Sequence, residues 1–168
     1  RRLALRWALK RKTTMGGATI LCGDFEGDDK AGSPIASVLD QAYMAAFGVK
    51  RRGKLGRKFA RLLGRTTAPE QDAIERSILE VMYNEEGEIP SSVAQLLLPH
   101  LRTYQSSLLQ GCAIENTPDA IRKIMAPNTS AKYGRKFDPG WHLYCLHDLV
   151  VACEKSAVSG TPVQVIWS

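Results

Sequence analysis

No apolar run in this chain approaches the ~18 residues that a membrane-crossing helix needs, so nothing in it reads as a membrane span. No Walker loop, GxGxxG, GxSxG or HExxH occurs. Four motif-bearing chemistries therefore lose their signature: P-loop phosphate transfer, dinucleotide binding, nucleophile-elbow hydrolysis and zincin proteolysis. The four cysteines, Cys22, Cys112, Cys145 and Cys153, lie far apart with no CxxC pair. They are read as reduced, buried thiols of an intracellular protein. Acid is missing from two stretches, the first 23 residues and residues 50–65.

What is present starts with those two basic stretches. "RRLALRWALKRK" carries six Lys/Arg in twelve residues. This composition suits an organelle transit segment, a basic arm that touches phosphate, or a solvated helix. "KRRGKLGRKFARLLGR" holds eight cations: Lys50, Arg51, Arg52, Lys54, Arg57, Lys58, Arg61 and Arg65. Cations at this density release counterions from a phosphate backbone and bind it without reading sequence. They would equally dock on an acidic protein surface. Phe59 is the only aromatic among them, so base stacking is not implied. Residues 1–67 carry a net +10 and residues 68–168 a net −4, a basic front on an acidic body.

Helical spacing is clear in three places. Ser33-Pro34 opens a helix over 34–47 that Gly48 stops. Thr67-Ala-Pro-Glu70 fits a capping box before Ile74, Ile78, Leu79 and Met82. A further helix from Ser91 or Ser92 contains Pro99, where a kink or break is expected. Thr117-Pro118 starts a shorter one. "ATILC" reads as a strand, and "WHLYCL", "LVVAC" and "VQVIW" read as three more. The expectation is an α+β fold: a helical N-terminal and central part followed by a small C-terminal antiparallel β meander. Residues 1–65 form a basic arm with one strand and helix 34–47. Residues 66–168 form the body, and the two are compatible with one continuous domain.

Candidate chemistry is thin. Asp24, Glu26 and Asp28 alternate as a calcium loop begins, but the twelfth position, Ile35, is no ligand. His142, Cys145, His147 and Cys153 match no specific zinc spacing. A Cys145–His147 hydrolase would need a nucleophile, a base and an orienting group converging in a cleft, which one sequence with three histidines does not show. No catalytic, cofactor-binding or metal residue is assigned, and the chain is read as non-catalytic.

Arg135-Lys136-Phe137-Asp138-Pro139-Gly140-Trp141-His142 resembles the helix-to-strand turn of the dynein light chain family. The tail "SGTPVQVIWS" is similar to that family's last strand. The resemblance covers the final third and implies a cytoskeletal or motor-associated assembly. Protein contacts would then fall at Trp141, His142 and Trp167. Only 25 residues separate Trp141 from Trp167, fewer than the family's full set of strands requires.

The expected function is a structural or adaptor subunit of a large protein assembly, mitochondrial or cytoplasmic and cytoskeletal. The alternative is an RNA-contacting subunit of an organellar ribosome or similar particle.

Overall fold

In the computed structural model, residues 17–28, 30–50, 53, 67–113, 115–117, 119–120 and 139–167 are described. The fold is α+β. In chain order it runs β1 (Gly17–Cys22), β2 (Phe25–Glu26), β3 (Lys30–Ala31), α1 (Gly32–Phe47), α2 (Pro69–Tyr83), β4 (Glu86–Ile89), α3 (Ser91–Cys112), α4 (Pro139–Ser159) and β5 (Val163–Trp167).

The strands form one antiparallel sheet ordered β2-β1-β5-β4, with β3 on the same side of β1 as β2. β1 meets β5 in the register Thr19↔Ile166 and Leu21↔Gln164, and β5 meets β4 at Ile166↔Glu86 and Gln164↔Glu88. The pleat sends successive side chains to opposite faces. Ile20, Cys22, Ile89, Val163 and Val165 are buried on one face against the helices. Thr19, Leu21, Gln164, Ile166, Glu86 and Glu88 share the other face, over which no described element lies. One core joins both ends of the chain, from Ile20 and Leu39 through Ile78 and Leu101 to Leu149 and Val165.

The C-terminal meander is corrected. Residues 139–159 form a single helix, and β5 is the only strand after it among the described residues. Leu143, Leu146, Leu149, Val150 and Cys153 recur at three- and four-residue spacing and are all buried. No Gly or Pro interrupts residues 141–159, a length far beyond the 4–8 residues of a buried strand. The helix is buried almost all round because it packs on α3, α1 and the sheet together. A broad apolar surface hides the 3.6 period and mimics consecutive buried strands. The missing strands come from elsewhere: β4, "EGEI", and the short β2 and β3.

The remaining elements follow the sequence with adjustments. α1 begins at Gly32, and its stop at Gly48 has φ +66°, with the Gly48 N–H donated to Met44 O at 2.9 Å. The capping box at Thr67 does not form. Ala68 is the N-cap, no side chain caps, and Pro69 opens the first turn. Thr67 sits one residue too early to reach the free amides. Pro99 does not break α3. It is exposed, and the carbonyl it leaves without a donor is that of Gln95, on the same solvent-facing side. Thr117 Oγ1 accepts the Ala120 N–H at 3.2 Å, a capped helix start as expected.

Candidate interaction surfaces

Where the sequence places its cations governs what each surface can do. Of the 23 Lys/Arg, Lys30, Lys50, Arg76, Arg102 and Lys155 lie among the described residues. Of the predicted contact cations, Lys50 is exposed just past the left-handed stop of α1, beside Val49, which is 51% exposed. Arg51, Arg52, Lys54, Arg57, Lys58, Arg61 and Arg65 lie outside the described residues. Gly53, between them, is exposed.

The three predicted protein-contact residues make internal contacts. His142 is 4% exposed, and its Nδ1 is hydrogen-bonded to Tyr104 Oη at 2.9 Å, tying α4 to α3. Burial raises the Tyr104 pKa, which keeps that hydroxyl protonated. Trp141 is half-buried against the core, its ring 5.5 Å from that of Tyr144. Trp167 donates its indole N–H to Val81 O at 2.7 Å and its backbone N–H to Glu85 O at 2.9 Å. It thereby fixes the end of β5 to α2 and to the residue before β4. Pro139 and Gly140 open α4, so the turn into a strand that the light-chain resemblance implies is here a helix start.

The acid loop after β1 is dispersed. Asp24 pairs with Lys155 Nζ at 2.8 Å, and that bond lowers its pKa. Asp28 Oδ2 accepts the Tyr144 hydroxyl at 2.7 Å, and the Asp28 N–H is donated to Asp148 Oδ2 at 3.1 Å. The loop is thus a clasp onto α4. Among the described residues no three His, Cys, Asp or Glu side chains converge as metal ligands would. Cys22, Cys145 and Cys153 are buried thiols outside any disulfide. Burial pushes the Cys153 thiol up to about 12, with Cys22 and Glu154 adding to the shift.

Sequence reading missed the sheet face that no described helix covers. It carries Glu86 and Glu88 beside Ile166 and Gln164, with Leu21 and Glu26 further across. An open groove lined by Asp24, Phe25, Glu26, Thr161, Pro162 and Gln164 borders it. The exposed-buried alternation of "EGEI" was the available signal, masked by its glycine and two glutamates.

No family model matches the chain, and no curated protein or solved structure is significantly similar to it.

Proposed function

We propose that this chain is a non-catalytic structural or adaptor subunit of a larger assembly, whose 50–65 stretch docks on an acidic protein surface. Charge segregation along the sequence carries the reading: residues 1–67 carry a net +10 and residues 68–168 a net −4, and the 50–65 stretch holds eight cations without one acid, beginning at exposed Lys50. A local acidic patch on a partner engages those cations within a Debye length of about 8 Å. A long polyanion such as RNA is also repelled by the net −4 of residues 68–168, so we favour a protein partner over the RNA-particle alternative, to which the same cations would otherwise be suited. The light-chain resemblance adds a cytoskeletal setting. Its residues 135–138 lie outside the described residues, so the proposal does not depend on it.

The test replaces Arg51, Arg52, Arg57 and Lys58 together by Gln in the full chain, then purifies the native complex. The variant should keep a cooperative denaturant melt close to the parent's, which shows that it folds. It should lose its protein partner and be weakened by salt in what remains. A full partner set on the neutralised chain would overturn the proposal.

A further inference from the structure

β4 is the outermost strand of its side of the sheet. Its inner edge is taken by β5: Glu85 O accepts the Trp167 N–H, and the register continues through Gly87↔Val165 to Ile89↔Val163. In an antiparallel ladder alternate residues exchange both backbone bonds with the partner. Glu85, Gly87 and Ile89 therefore turn their N–H and C=O toward β5. Glu86 and Glu88 turn theirs outward, two donors and two acceptors in a row. Among the described residues no strand pairs with this edge. Both glutamates are exposed, and their carboxylates stand on the face that no described helix covers. No ion pair among the described residues involves either of them.

An open strand edge is a template for another strand, and natural proteins cover it, charge it or use it. The charges here decide which strand fits. A second copy pairing antiparallel would set Glu86 directly opposite the second copy's Glu88, and like charges in that position destabilise the pair. A neutral strand gains only backbone bonds. An extended segment with Lys or Arg at alternate positions gains the same bonds and places a cation opposite each carboxylate. We infer that the β4 edge is a binding site for a basic, extended peptide segment of a partner protein, taken up as an added strand beside Glu86 and Glu88. This site is opposite in sign to the 50–65 stretch.

The experiment uses the isotope-labelled full chain and a synthetic Thr-Lys-Val-Lys-Val-Lys-Thr peptide with blocked ends. Amide exchange at Glu86 and Glu88 should slow on binding, while Gly87 and Ile89, already bonded to β5, stay unchanged. N-methylation of the peptide amides that face β4 should abolish binding. Glu86→Lys with Glu88→Lys should weaken the basic peptide about tenfold and admit a Glu-for-Lys peptide instead. The chain neutralised at Arg51, Arg52, Arg57 and Lys58 should bind the basic peptide as before, so the two proposals fail separately. Absence of binding would overturn the inference. Binding without protection of those two amides, or equal binding of the N-methylated peptide, would overturn it too.

Discussion

A Cβ at position 87 would overlap the backbone of Val81, so the last turns of α2 can lie on β4 only because residue 87 is glycine. The obstacle is main chain and cannot swing aside as a flexible side chain would. Gly87→Ala should cost about 1–3 kcal/mol, the range for overpacking, seen as a lowered midpoint in urea with an unchanged slope. Cys153 makes a second prediction at this scale. Its folded pKa of about 12 lies above the ordinary thiol value of 9.0 because burial penalises the thiolate. An unfolded chain releases that proton first. The thiol's contribution is therefore intact below about pH 9 and is lost as the pH rises toward 12. Stability should fall in that window by about 1.4 kcal/mol per pH unit per such thiol. Denaturant melts of the parent and Cys153→Ala should differ in alkaline slope and agree in slope near neutrality.

Among elements, β5 is the central one, hydrogen-bonded to β1 on one side and β4 on the other. Ending the chain at Gly160 would remove both pairings, bury nothing in place of Val163 and Val165, and uncover Ile20 and Ile89. Such a chain should lose its cooperative thermal transition in circular dichroism. A chain that keeps β5 and carries Ile166→Thr on the open face should melt close to the parent. Helix α1, the helix over 69–83 and strands β1 and β5 were legible because each pairs one clear period with a turn residue at its end, Gly48 or Gly160 among them. α4 was not. A helix buried on nearly every side loses its amphipathic stripe, and its Val, Leu, Tyr and Trp content then reads as strand. β4 was hidden for the opposite reason: half of it is glutamate, and its one internal glycine answers to Val81, a contact no local pattern announces. The cationic stretch was plain in composition, whereas the edge of β4 became visible only once the register with β5 was known.

Over the whole molecule, the sheet joins residue 17 to residue 167 through β1 and β5, so the basic and acidic halves of the sequence share one core. Charge, by contrast, is unevenly placed along the sequence, a net +10 over residues 1–67 and −4 over 68–168. The proposed docking stretch over 50–65 and the proposed acidic edge of β4 are opposite in sign, and a chain carrying both would bridge an acidic protein and a basic segment. Sedimentation of native extract through sucrose, with and without ribonuclease, separates a protein assembly from an RNA particle. The chain should sediment fast in both runs and return to the top of the gradient when Arg51, Arg52, Arg57 and Lys58 are changed to Gln. Collapse of the fast species on ribonuclease treatment would contradict the proposed protein docking and make RNA the partner. So would a chain that stays at the top in every run.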